Sequence, residues 1–209
     1  FLQEGMVDVG RGAYPAFTDF DGDGKMDMVV ACKERYLGPG NTPALLARFR
    51  NVGSAAAPAF EQLDTNWLSL PDFGLESVVA TFGDLDGDGD IDLAGTAYRD
   101  NKVTWYENID GKGTYGPERV VATNIYKPRD IIAADLDNDG DFDLVSLAND
   151  GIVAWHENMD GHANFSGNKK IITTNTIGPR GIFSADIDLD GDMDIVTASR
   201  NDNKVAWYE

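Results

Sequence analysis

Cysteine is nearly absent from this chain. Cys32 is the only one in 209 residues, so no disulfide can form within it, and cysteine usage is silent on redox compartment. It sits in the apolar run 28–32 and is expected to be a small buried hydrophobe. Long apolar stretches are missing as well. No run of 18 apolar residues occurs, which excludes a membrane-spanning helix. Positive charge is scarce: 17 Lys and Arg stand against 36 Asp and Glu, a net charge of −19. Such a chain repels nucleic acid and anionic membrane surfaces, so neither nucleic-acid binding nor membrane insertion is expected. The two histidines, His156 and His162, have no partner pattern for a zinc site or a triad. There is no G-x-S-x-G and no Cys–His set, and no nucleophile or acid–base pair stands out. No segment carries a convincing 3.6-residue apolar period. The sequence has no initiator Met and no leader segment; it opens at Phe1 and stops at Glu209 in mid-pattern, and is expected to be a piece of a longer protein.

What is present is enough apolar material for a core, 42% of residues with 10% aromatic, and an uneven distribution of the acids. They gather in four clusters built on one pattern, D-x-D-x-D-G-x-x-D. The first holds Asp19, Asp21, Asp23 and Asp27. The second holds Asp84, Asp86, Asp88 and Asp92, the third Asp135, Asp137, Asp139 and Asp143, and the fourth Asp186, Asp188, Asp190 and Asp194. Their first residues are 65, 51 and 51 apart. The longer first interval fits an insertion around residues 37–43, which is Gly- and Pro-rich.

The repetition extends beyond the loops. Each is followed by an apolar run, at 28–32, 93–97, 144–148 and 195–198. Then comes Val103-Thr-Trp-Tyr-Glu-Asn108, echoed by Val153-Ala-Trp-His-Glu-Asn158 and Val205-Ala-Trp-Tyr-Glu209, with a looser Leu46-Ala-Arg-Phe-Arg-Asn51 in the first copy. Further runs near 119–122 and 130–134 complete the unit. The runs are short, β-branched or aromatic, and punctuated by Gly, Asn, Asp and Pro. Each unit therefore predicts four antiparallel strands in about 50 residues, the blade of an all-β propeller. Repeats are expected at about 10–65, 75–122, 128–173 and 179–209, in one propeller domain or part of a larger one. Residues 1–9 are expected to supply the last strand of a preceding or closing blade.

The loops point to Ca²⁺, which takes 6–8 oxygen ligands in irregular geometry. Carboxylates at positions 1, 3 and 5 converge as the loop curls, Gly at position 6 (Gly24, Gly89, Gly140, Gly191) permits the turn, and Asp at position 9 closes the site. Position 7 varies (Lys25, Asp90, Asp141, Asp192), which suits a main-chain carbonyl ligand. An EF-hand would need Glu at position 12, where Val30, Gly95, Ser146 and Thr197 stand. One ion per loop, four in all, would bring the net charge from −19 to −11, and a structural rather than a sensing role is expected.

These loops, each leading into an apolar strand and V-x-W-x-E-N, resemble FG-GAP and VCBS-type repeats and the calcium-binding blades of integrin α-subunits. The Phe-Gly and Gly-Ala-Pro signatures of the integrin version are reduced here to Phe82-Gly83. The resemblance implies a secreted or cell-surface β-propeller. Such modules serve adhesion, bind a glycan or an extracellular protein, or accompany other domains of a larger chain; a domain of a secreted polysaccharide-degrading lyase or hydrolase is the alternative. Trp105, Trp155 and Trp207 share one repeat position and are expected between blades, whereas Trp67 lies outside the pattern and is the candidate for an exposed aromatic platform. In a blade, the loops opposite the Asp loops would carry Arg99, Tyr126, Lys127, Arg129, Arg180 and Arg200, the candidate ligand-binding residues.

Overall fold

The computed structural model describes residues 11–34, 45–54, 56–64, 67–68, 78–165 and 169–209. The insertion near 37–43 and the strand expected over 1–9 lie outside these residues. The described residues form four antiparallel sheets and contain no α-helix. The first sheet runs β1 (Arg11–Thr18), β2 (Asp27–Glu34), β3 (Leu45–Asn51), β4 (Phe60–Asp64). The second runs β5 (Val78–Gly83), β6 (Asp92–Ala97), β7 (Lys102–Tyr106), β8 (Arg119–Thr123). The third runs β9 (Pro128–Ala134), β10 (Asp143–Ala148), β11 (Val153–His156), β12 (Lys170–Thr173). The fourth holds β13 (Pro179–Ala185), β14 (Asp194–Ser199) and β15 (Lys204–Tyr208). Each strand pairs with the next in sequence, as in the blade of a propeller.

The four sheets share one register. Phe17, Met28 and Phe49 face one another across the first sheet, as do Phe82, Leu93 and Tyr106 across the second. The same rows in the third and fourth are Ala133, Leu144, His156 and Ser184, Ile195, Tyr208. His156 is thus a replacement within a strand for an aromatic. Its Nε2 lies 2.8 Å from Ser146 Oγ, and burial pushes its pKa down to about 4.

The first strands of successive blades pack together, β1 on β5, β5 on β9 and β9 on β13. Three of the four apolar clusters among the described residues therefore lie between blades; the fourth, Val30, Ala47 and Phe49 with Met28 and Phe60, lies on the first sheet alone. Phe20, Val29, Leu46, Val78 and Leu93 fill the first junction, Val79, Leu85, Val103, Trp105, Ile131 and Leu144 the second, and Val145, Val153, Ile182 and Ile195 the third. Coverage on both faces explains why β6 and β10 are buried along their whole length and read as continuous apolar runs. Beyond the fourth blade no such cover exists among the described residues. Trp105 is 3% exposed, but Trp207, at the same repeat position, is 48% exposed, and Phe183 65%. Trp67 corrects the expectation of an exposed platform. It is 6% exposed, edge-on to Tyr115 at 4.8 Å and beneath the Arg48 guanidinium at 4.8 Å. It plugs the first junction, a contact that no repeat position announces.

One side chain ties each of the second and third blades to the loop before it. The Asn108 amide donates to the carbonyl of Phe20 at 3.3 Å, and that of Asn158 to the carbonyl of Leu85 at 2.8 Å. Both also hold their own blade's loop, through Ile91 and Phe142 carbonyls. The Asn51 amide bonds only within its own blade, to Met26, among the described residues. Losing a buried bond that leaves a carbonyl unpaired costs about 1–3 kcal/mol. Asn108→Ala and Asn158→Ala should therefore each lose about 1 kcal/mol more than Asn51→Ala in urea denaturation. Equal losses in the three would remove the cross-blade bond from the account of stability.

Candidate metal centre

Each Asp loop joins the first two strands of its blade, between β1 and β2, β5 and β6, β9 and β10, β13 and β14. A common set of backbone bonds shapes it. The carboxylate at position 1 accepts from the Gly N–H at position 6: Asp19 from Gly24 at 2.7 Å, Asp84 from Gly89 at 3.0 Å, Asp135 from Gly140 and Asp186 from Gly191 at 3.1 Å. These glycines have φ between +82° and +102°, a region that a side chain would strain. The carboxylate at position 5 accepts from the N–H at position 7, as Asp88 does from Asp90 at 2.9 Å.

Position 9 is the latch. Asp27, Asp92, Asp143 and Asp194 are all buried. Asp92 Oδ1 accepts from the Asn108 N–H at 2.8 Å and Oδ2 from the Leu85 N–H at 3.0 Å. Asp143 does the same with Asn158 and Leu136, and Asp27 takes the Asn51 N–H at 2.7 Å. The loop is thereby fastened to the end of the third strand.

The remaining carboxylate oxygens converge. Asp19, Asp21 and Asp27 each bring an oxygen within 4.8 Å of the others, as do Asp84, Asp86 and Asp92; Asp135, Asp137 and Asp139; and Asp186, Asp188 and Asp194. In every loop at least one buried oxygen has no protein partner: Asp21 Oδ1 and Asp27 Oδ2, Asp86 Oδ1, Asp135 Oδ1, Asp186 Oδ1. Buried acceptors without donors are costly. Burial pushes the Asp92 carboxyl up to about 7 and that of Asp143 to about 6. Asp27, Asp86, Asp137 and Asp188 are raised too, through burial first and their acidic neighbours after it. Asp23 goes the other way, held low by its hydrogen bond from Lys25. Orphaned oxygens, hard donors only and a shared excess of negative charge fit a hard divalent cation. Asp23 and Asp88 at position 5, Asp143 at position 9, and Lys25, Asp90, Asp141 and Asp192 at position 7 line the same turns without belonging to the tight triplets. A fifth cluster joins Asp188 and Asp190 to Glu209.

The residues expected to meet a ligand lie at the other end of the blades. There the turns between second and third strands bond to the links between blades. The Ile125 N–H reaches the Asn101 carbonyl at 2.9 Å, the Asn149 N–H that of Tyr126 at 3.1 Å, and the Arg200 N–H that of Gly178 at 3.0 Å. Tyr126, Lys127 and Arg129 come together around Tyr98: the Lys127 ammonium is 5.4 Å from the Tyr126 ring and 5.7 Å from Tyr98, and the Arg129 guanidinium is 5.7 Å from Tyr98. Arg129 also donates to Asn149 Oδ1 at 2.6 Å. Arg99, Arg180 and Arg200 are exposed on this end.

Sequence reasoning passed over position 4. It is left-handed in every loop, as Gly22, Gly87, Asn138 and Leu189, with φ of +69°, +75°, +57° and +65°. Leu189 is a γ-branched residue in a conformation that costs about 1–2 kcal/mol, and at 84% exposure it recovers nothing by burial. The change of residue type down that column was the available signal. Leu189→Asn, copying the third loop, should stabilise by about 0.5–1 kcal/mol, read as a higher denaturation midpoint with unchanged slope. An unchanged or lower midpoint would show that the strain is relieved in another way.

The family model for the FG-GAP-like repeat matches three overlapping stretches, residues 19–95, 84–146 and 135–197. Each begins at the first Asp of one loop and ends in the strand that follows the next loop. No curated protein matches the chain. With its loops, its strands and the matched stretches all in one register over most of its length, this chain belongs to the FG-GAP-like repeat family.

Proposed function

We propose that the chain is a secreted or cell-surface calcium-binding propeller module whose metal is structural and whose opposite loop end meets a glycan or another extracellular protein. One observation carries the metal reading: each of the four loops gathers three carboxylates within 4.8 Å and leaves a buried oxygen without a donor. Asp at positions 1, 3, 5 and 9 would hold one Ca²⁺ per loop, with the position 7 carbonyl as a further ligand. The ion would supply charge neutralisation and a hard Lewis-acid centre. The residues themselves do the positioning: position 6 turns the chain, position 1 pins it, and position 9 binds it to the third strand. A Ca²⁺ reading is favoured over Mg²⁺ because an irregular all-oxygen cage suits the larger ion.

The binding end is proposed from charge and composition. Arg99, Lys127, Arg129, Arg180 and Arg200 are a large share of 17 basic residues in a chain of net charge −19. A basic, Tyr-bearing end on an acidic body orients an anionic partner, such as a uronate-containing or sulfated glycan or an acidic protein surface. Secretion fits a module that relies on millimolar extracellular calcium.

At a hundredfold excess over Kd each filled site adds about 2.7 kcal/mol. Calcium should therefore raise the melting temperature of the metal-stripped protein by about 5 °C or more per filled site, with Mg²⁺ restoring only part of it. Polygalacturonate and heparin serve as the ligand probes. Tyr126→Ala with Arg180→Ala should weaken their retention while the melting curve stays nearly unchanged, because both side chains are exposed. Identical melting in calcium and in EDTA would overturn the metal reading. Retention of both probes unchanged in the double variant would overturn the assignment of the binding end.

A further inference from the structure

The four loops do not offer a cation the same welcome. In the second, third and fourth repeats the residue before the conserved Asn position is Glu107, Glu157 or Glu209; in the first it is Arg50. The Arg50 guanidinium reaches over the loop, its Nε 2.7 Å from Asp21 Oδ2, a side chain only 9% exposed. Position 7 differs in the same sense. Where the other loops have Asp90, Asp141 and Asp192, the first has Lys25, whose ammonium sits 2.7 Å from Asp23 Oδ2 and 3.5 Å from the Asn51 carbonyl. Two of the four carboxylates of that loop are thus already paired with cations from the chain itself.

The other loops carry the opposite balance. The second and third each have five Asp and one Glu, each Glu with one cation as its partner, and the His162 ring lies 2.9 Å from the Asp86 carbonyl beside the second loop. Arg119 pairs with Glu107, and Lys170 pairs with Glu157 at 2.5 Å. Those cations lie over Trp105 at 4.7 Å and Trp155 at 3.9 Å, on the outer strands and directed to the Glu rather than to the loop aspartates. In the fourth loop Glu209 clusters with Asp188 and Asp190. The formal charge at the first loop, Lys25 and Arg50 included, is −2; at the second and third, with Glu and its partner included and His162 counted as neutral, it is −5; the five Asp of the fourth loop alone give −5.

We propose that Arg50 and Lys25 stand in for part of the metal charge in the first loop, so that loops 84–92, 135–143 and 186–194 are the tight calcium sites and loop 19–27 is a weak one. This rests on the calcium reading given above and deepens it. A guanidinium on Asp21 has to be displaced, or tolerated at contact distance, before a divalent ion can use that carboxylate. Calcium affinity in oxygen cages follows the number of charged ligands, so the loss of three negative charges relative to its neighbours makes the first site weaker by about tenfold or more. The first blade is then closed by its own side chains at calcium levels that leave the other three open.

Calorimetric titration of the metal-stripped protein with Ca²⁺ tests this, with bound calcium counted independently by native mass spectrometry. The wild type should show three tight sites and a weaker fourth. Asp19→Asn should leave the three tight sites intact, whereas Asp84→Asn should leave two. Arg50→Glu, which restores the residue of the other repeats, should strengthen the weak site by about tenfold; should that variant fail a circular-dichroism check of folding, Arg50→Gln makes the same test with a smaller gain. Four equal sites in the wild type, or a tight site lost in Asp19→Asn, overturns the inference and leaves the calcium reading standing. No bound calcium at any loop overturns the calcium reading, and this inference falls with it.

Discussion

The constraint on which the structure depends is the crowding of carboxylates in the loop between the first two strands of each blade. Four or five Asp in nine residues is an arrangement that folding opposes through both repulsion and burial. The chain meets the cost in part with backbone donors. The Gly N–H at position 6 serves the first carboxylate, and the third-strand Asn N–H serves the last. Those bonds use some oxygens and leave others, such as Asp86 Oδ1 and Asp186 Oδ1, buried and unmatched. What is left over is the shape and charge of a cation site.

The loop is also the joint between blades, so its state is not a local matter. Asp92 holds the backbone of Asn108, and the side chain of Asn108 reaches back to the carbonyl of Phe20 in the preceding loop. Asp143 and Asn158 repeat the link toward Leu85. Opening one loop therefore loosens the latch of its own blade and the grip of the next. Three of the four apolar clusters among the described residues obey the same logic, since they lie between sheets. The second, third and fourth blades bury their apolar side chains mainly against a neighbour, in keeping with the nearest-neighbour energetics of repeat proteins.

The repeat was legible because four copies keep the same residues in the same phase. Gly at position 6, Asp at position 9 and the apolar run behind them place the turn, the latch and the second strand without reference to anything distant. Trp67 was not legible. Its burial depends on Phe20, Tyr115 and Arg48, residues 47, 48 and 19 positions away in sequence, and no local period encodes such a contact. Trp207 shows the converse: its repeat position matches Trp105, but a repeat position does not carry the neighbour that covers it. Leu189 and Arg50 were visible as departures from their columns. What each departure does, a strained turn in one case and a cation on a carboxylate in the other, needed the backbone angle and the ion pair. At the opposite end the basic residues were named from topology alone. The packing gathers Tyr126, Lys127 and Arg129 around Tyr98, with Arg129 committed to Asn149, and leaves Arg180 and Arg200 exposed.

Hydrogen–deuterium exchange in calcium and in EDTA tests most directly whether bound cations close the loops and, through them, the joints. Removal of calcium should strip protection from residues 84–92, 135–143 and 186–194 and from the amides of Asn108 and Asn158, while residues 19–27 change least. Exchange that is unchanged by EDTA, or that rises uniformly along the chain, would contradict the account.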